Sequence, residues 1–295
     1  MTVCVAAICA HTMVMGMSDR MLTAGDLQFQ PSSSKIWRLT NSIVMMSAGD
    51  IGLQSEIYGG VRKFIAGKLA AEPERWLQVE EVANQYRATY FNIKSQRSEQ
   101  AILGSLGLTR ETFIANQRTM EPTLVSNLAS ELLAYGMPGV AAIIAGNSPL
   151  ETGNPEVAVP HIFTIENGDI LCADKVGFAC VGVGAWHANS TLMLAGHTPG
   201  TSAVKALLNI YSAKKRAEVA PGVGSDTDTF LVTNALGSCD ELRDDLMARV
   251  AEIYKRNLVR NARALKKAED SLHAYIERFT TKQPPEPQTA DSTKP

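Results

Sequence analysis

Val3-Cys4-Val5-Ala6-Ala7-Ile8 is a continuous apolar run, rich in β-branched residues, that starts almost at the first residue of the chain. Such a run reads as a buried strand. A chain that opens this way commits its beginning to a core, and its second residue, Thr2, is tied to the end of that strand.

Further strands follow at short spacing. Met13 to Met17 is a second run, closed by Ser18-Asp19-Arg20, with Ala10-His11-Thr12 as the turn between them. Gly25-Asp26 and Ser32-Ser33-Ser34 are breaks. Lys35-Ile36-Trp37-Arg38-Leu39 predicts a third strand and Ile43-Val44-Met45-Met46-Ser47 a fourth, followed by Ala48-Gly49-Asp50. Side chains at i and i+2 share a strand face. Lys35 therefore falls with Trp37 and Leu39, and Asp19 with Met13, Met15 and Met17.

Thr2 carries chemistry if Met1 is removed, as a small second residue permits. Its hydroxyl and free α-amine then make a nucleophile with its own base. An α-amine has an ordinary pKa of about 7.7–8.0, so a useful neutral fraction exists near neutral pH. A partly buried ammonium beside such a nucleophile lowers its proton affinity, and a carboxylate holds that ammonium charged and in place. Lys35 and Asp19 are the right types. By spacing alone they read first as strand-end charges facing solvent. Cys4 is a rival nucleophile by position, but it lies mid-strand.

The order of these pieces resembles the β-subunits of the proteasome, within the N-terminal-nucleophile hydrolase superfamily. Thr2 opens a hydrophobic strand, Ser18-Asp19-Arg20 closes the next, Ser34-Lys35-Ile36 starts a third, and Ser47-Ala48-Gly49-Asp50 ends a fourth. The Met-Thr-x-Cys-Val opening looks most like the bacterial proteasome-related family called Anbu. Gly139 to Gly146 is similar to the family's central strand, and Pro160 to Ile165 with Asn167-Gly168-Asp169 to the next hairpin. Gly182-Val183-Gly184 resembles its strand-to-helix junction, and Asp226 to Thr233 its last core strand.

The resemblance implies a four-layer α/β/β/α sandwich of two antiparallel sheets, with Thr2 in the cleft between them. It implies Thr2 as nucleophile, Lys35 as the tuning ammonium, Asp19 as its carboxylate partner, and the backbone N–H of Gly49 in an oxyanion hole. Leu22, Ser33 and Ser47 would line the pocket for the side chain before the scissile bond. Val183 stands where the family carries a supporting serine. Ser225, Asp226 and Asp228 are unranked candidates for the groups that support the amine. The implied activity is a threonine-type amide hydrolase, a peptidase acting on peptide or protein substrates with no metal or organic cofactor. The alternatives are a catalytically degenerate structural or regulatory subunit, and an acylase of small amides. A homo-oligomeric ring or open ring is implied, with an ATPase partner left open.

Composition narrows the setting. A net charge of −2 implies no nucleic-acid or acidic-surface partner. Hydrophobic residues make up 45%, enough for a sizeable core. No apolar run reaches the roughly 18 residues of a membrane span. The first residues lack the basic flank and small-residue cleavage site of a secretory leader. Five cysteines, odd in number and without metal-like spacing, point to a reducing, cytoplasmic setting. His187 and His197 flank a helical pattern and read as surface or capping residues.

Helical stripes run from Asp50 to Leu69, from Glu74 to Lys94, from about Thr109 to Ala134, from Ala188 to Ala195, from Ser202 to Lys215, and from Cys239 to Phe279. The expected organisation is a hydrolase-like core over 2–237 with a helical insertion at about 95–123. A helical extension over 238–280 and a disordered proline-rich tail over 281–295 follow.

Overall fold

The computed structural model describes residues 2–24, 27–29, 34–150 and 158–280. The chain divides into two compact units at the Arg243–Asp244 junction. In chain order the strands are β1 (Cys4–Cys9), β2 (Met13–Asp19), β3 (Leu22–Ala24), β4 (Leu27–Phe29), β5 (Ile36–Arg38), β6 (Ile43–Gly49), β7 (Val140–Pro149), β8 (Ala158–Glu166), β9 (Asp169–Cys172), β10 (Phe178–Val181), β11 (Thr227–Val232) and β12 (Cys239–Asp240). The α-helices are α1 (Ile51–Ala71), α2 (Val79–Ser98), α3 (Arg110–Asn116), α4 (Pro122–Ala134), α5 (Ala185–Leu194), α6 (Ala203–Ala217) and α7 (Asp244–Thr280).

Every residue of β1 is buried, which explains why its sequence shows no polar alternation. It lies inside an antiparallel sheet of order β10-β1-β2-β11-β12, with Cys4 opposite Val181 on one side and Ser18 on the other. A second antiparallel sheet has the order β5-β6-β7-β8-β9. The two sheets share a core in which Cys4, Ala6, Val14 and Phe230 meet Val44, Met46, Ala48 and Ile143. The far face of the second sheet, through Ile43, Met45 and Ile144, packs on Leu53 and Ile57 of α1 and on Val82 and Tyr86 of α2. On the first sheet, α6 lies against β1 and β2, and α5 against β10. The architecture is α/β, two antiparallel sheets with helices on each.

Local chemistry sets the corners. The carboxylate of Asp50 accepts from the Leu53 N–H at 2.8 Å and starts α1. Asn167 and Gly168 both have positive φ, 51° and 94°, the two-residue turn that joins β8 to β9.

Several expected elements shift. The third strand shrinks to Ile36–Arg38, and Lys35 sits on a bend before it, where Ser34 Oγ accepts from the Ile36 N–H. The second helix starts at Val79 and runs on to Ser98, straight into a π-turn at Glu99–Leu103, so the insertion has no separate beginning at residue 95. The helical stripe after Thr109 is two helices, because Pro122 lacks an N–H and begins a new one. Its small apolar centre is Leu103, Phe113 and Leu128. Cys239–Asp240 pairs with Leu231 and Val232 as an edge strand, so the long helix begins at Asp244. The expected tail at 281–295 and the breaks at Gly25-Asp26 and Ser32-Ser33 lie outside the described residues. Among the described residues no helix is long and apolar enough to cross a membrane.

Candidate active site

Thr2, Asp19 and Lys35 come together at the end of β1, and all three are buried. The Thr2 hydroxyl donates to Asp19 Oδ1 and accepts from Lys35 Nζ. Lys35 Nζ also donates to Asp19 Oδ1 at 2.9 Å and to the Met21 carbonyl at 2.5 Å. The bend at Lys35, rather than strand alternation, lets its side chain reach Thr2 instead of following Trp37. The Lys35 carbonyl accepts from the Ser47 N–H at 3.1 Å, which moors the bend to the second sheet.

Asp19 is the hub. Its Oδ1 also accepts from the Val3 N–H at 2.9 Å, and its Oδ2 from the N–H groups of Met21 and Gly224, each at 3.0 Å. A carboxylate so supplied with donors is held in one orientation. It and the Lys35 ammonium flank the hydroxyl away from bulk water, where screening is weak.

The Gly-x-Gly junction closes on the same point. Gly182 has φ +95°, and a Cβ on it would stand 2.4 Å from the Thr2 carbonyl oxygen. Only glycine fits both the backbone conformation and the contact. The Gly184 N–H donates to that carbonyl at 3.2 Å. Val183, between them, is half exposed.

Gly49 ends β6 with φ +100°, and a Cβ there would lie 2.2 Å from the Gly139 carbonyl oxygen. Behind it the buried Gln54 side chain donates to the carbonyls of Ala48 and Ala141, both at 2.9 Å, and accepts from the Tyr86 hydroxyl at 3.0 Å. Ser47 is buried, and its carbonyl accepts from Cys4 Sγ at 3.5 Å, joining the two sheets beside Thr2. Burial pushes the Cys4 thiol up to about 12, which removes it as a rival nucleophile near neutral pH. Leu22 is half-buried, next to the Met21 carbonyl that Lys35 holds. Ser33 lies outside the described residues.

The three candidates for supporting the amine separate. The side chains of Ser225 and Asp226 are exposed, and the Ser225 carbonyl is taken by Lys214 Nζ at 2.7 Å. Asp228 is buried, directly opposite Ser18, with its Oδ1 bound by Arg20 Nε at 2.6 Å. Asp228 Oδ2 and Ser18 Oγ are buried with no hydrogen-bond partner among the described residues. His187 is exposed, but His197 is buried, with Nε2 2.9 Å from the Ile8 carbonyl; burial lowers its pKa. It serves β1 rather than the surface.

Nothing in the residue pattern points to Gly224, because its part is played by a backbone N–H. Nor does the pattern point to Lys214, because a lysine in a helix's last turn ordinarily faces water.

No protein-family model matches the chain, and no curated protein sequence matches it.

Proposed function

We propose that this chain is an N-terminal threonine amide hydrolase, a peptidase with the N-terminal-nucleophile fold and akin to the proteasome-related Anbu family. The observation that carries the reading is the Thr2 hydroxyl gripped between Asp19 and Lys35 in a buried cluster. Two five-stranded antiparallel sheets with helices on each agree with that fold.

With Met1 attached, the Thr2 nitrogen is an amide and cannot take a proton. Once Met1 is gone, the amine accepts the hydroxyl proton as Oγ1 attacks a substrate carbonyl carbon. The proton passes to the leaving amine, the C–N bond breaks, and an ester to Thr2 remains. Water, deprotonated by the same amine, releases the acid and restores the hydroxyl. Lys35 offsets the negative charge developing at Oγ1, and Asp19 fixes Lys35. The Gly49 N–H is assigned to the carbonyl oxygen of the substrate. Ring or open-ring assembly belongs to the same reading.

The test is intact mass before and after treatment with a peptide epoxyketone, which bonds to both hydroxyl and amine of an N-terminal threonine. Loss of Met1 and one adduct, absent from Thr2→Ala, supports the reading. A processed protein that never reacts overturns it and leaves the second reading, a catalytically degenerate subunit. Val183 favours that alternative, since it lies between two glycines that touch Thr2 and its side chain donates nothing.

A further inference from the structure

Lys214 is the one lysine of the described residues whose side chain has no exposure at all. It occupies the last turn of α6 with Lys215 and Arg216. A cation there favours the helix dipole, but an exposed lysine would do so without losing its hydration. Burying an ammonium is tolerable only when its N–H groups are all bonded. Lys214 Nζ meets that condition with Glu218 Oε1 at 2.6 Å, the Gly224 carbonyl at 3.0 Å and the Ser225 carbonyl at 2.7 Å. Lys215 backs it up, reaching Glu218 Oε1 at 2.8 Å and the Ser225 carbonyl at 3.2 Å.

Gly224 is held from both ends. Its carbonyl is bound by Lys214, and its N–H donates to Asp19 Oδ2 at 3.0 Å. The path from α6 to Thr2 is therefore continuous: Lys214 Nζ, Gly224, Asp19, Thr2 Oγ1. Val223, the preceding residue, lies within 3.1 Å of where a Cβ on Gly184 would stand, so the same loop also seats the Gly-x-Gly junction against Thr2.

We propose that Lys214 is a positioning residue, clamping the Gly224–Ser225 carbonyls so that the Gly224 N–H stays aimed at Asp19 and the carboxylate stays registered on Thr2. This rests on the reading of Thr2 as nucleophile. The loop ahead of β11 is thereby part of the site's support through the backbone of Gly224.

The experiment compares the processed wild-type chain with Lys214→Met, Lys214→Gln and Glu218→Gln. Epoxyketone adduct formation on Thr2 is followed over a range of inhibitor concentrations, alongside amide hydrogen exchange at 19–21 and 222–225. Lys214→Met is expected to slow the maximal rate of adduct formation about 10- to 100-fold at unchanged half-saturating concentration, the signature of lost registration rather than lost binding. Exchange at Gly224 and Met21 should rise at least about tenfold. Lys214→Gln, which keeps a donor for one carbonyl, should fall between. Glu218→Gln loosens the same buried cluster but spares the carbonyl clamp; it should lower thermal stability yet keep the rate within about twofold.

If Lys214→Met and Lys214→Gln react at the wild-type rate, the inference is overturned while the nucleophile stands. It is equally overturned if Glu218→Gln slows the reaction as much as Lys214→Met, since stability alone would then explain both. A wild-type chain that is processed and inert sinks the nucleophile reading. In that case unchanged exchange at Gly224 in the Lys214 variants overturns the clamp as well.

Discussion

Gly182 and Thr2 are so close that the glycine's missing methyl group would stand 2.4 Å from the threonine's carbonyl oxygen. The contact comes with a φ of +95°, which an alanine resists by itself. Gly182→Ala should cost at least about 1–2 kcal/mol of stability and displace Thr2 from Asp19. Denaturant midpoints and the epoxyketone rate check both halves, and a variant normal in both contradicts the packing described.

Asp19→Asn replaces the acceptor of a buried ammonium with an amide. Lys35 is left uncompensated, and the new amide nitrogen faces donors whichever way it turns, the N–H groups of Met21 and Gly224 in place of Oδ2 or the Val3 N–H and the Lys35 ammonium in place of Oδ1. The expected loss is about 3–5 kcal/mol, with adduct formation abolished. Pairing the change with Lys35→Met should cost clearly less than the two single losses added, because the stranded charge is gone. A double-mutant cycle in urea reads this.

Gln54 should matter more to stability than its neutrality suggests. Gln54→Met strands the Tyr86 hydroxyl and the carbonyls of Ala48 and Ala141 in a dry interior. About 2–4 kcal/mol should be lost by chemical denaturation. The end of β6 at Gly49 should show faster amide exchange.

Alkaline pH should weaken the fold through its thiols. Burial raises the pKa of Cys4 from 9.0 to about 12 and raises that of Cys180 as well. Below about pH 9 both states keep these protons; above it the unfolded chain releases them and the folded chain does not. The stability they contribute is therefore full below pH 9 and lost as pH rises, by about 1.4 kcal/mol per pH unit for each thiol. Urea midpoints between about pH 8 and about pH 10 should fall accordingly, and Cys180→Ala should flatten the slope. In the native protein near neutral pH, iodoacetamide should label the exposed Cys172 and spare Cys4.

Much of the first sheet could be read from residue pattern. The β1 run, the turn at Ala10 to Thr12, the second strand to Asp19 and the Asp50 cap all fall where apolar periodicity and capping chemistry put them. The residue types at Thr2, Asp19 and Lys35 were legible too. Their meeting is implied by the family resemblance but not by strand alternation, which puts Lys35 on the face of Trp37, and a bend overrides it. What surrounds them is harder still to read. Gly224 and Met21 contribute backbone atoms that every residue type possesses. The burial of Lys214 depends on where a distant loop lands. The helix that starts at Asp244 illustrates a different limit: apolar residues continue back to Cys239, and only pairing with β11 ends the helix there.

The place of β1 in its sheet has a consequence for the timing of synthesis. One neighbour, β2, follows at once, but the other is β10, Phe178–Val181, and the clamp on Asp19 arrives later still with Gly224. At ~5–20 residues per second, the first strand waits on the order of ten seconds for its second partner. During that interval Asp19 lacks the Gly224 N–H that later fixes its carboxylate. Afterwards Thr2 is 2% exposed. Translation thus delivers the strand that carries Thr2 long before the residues that fix it in place.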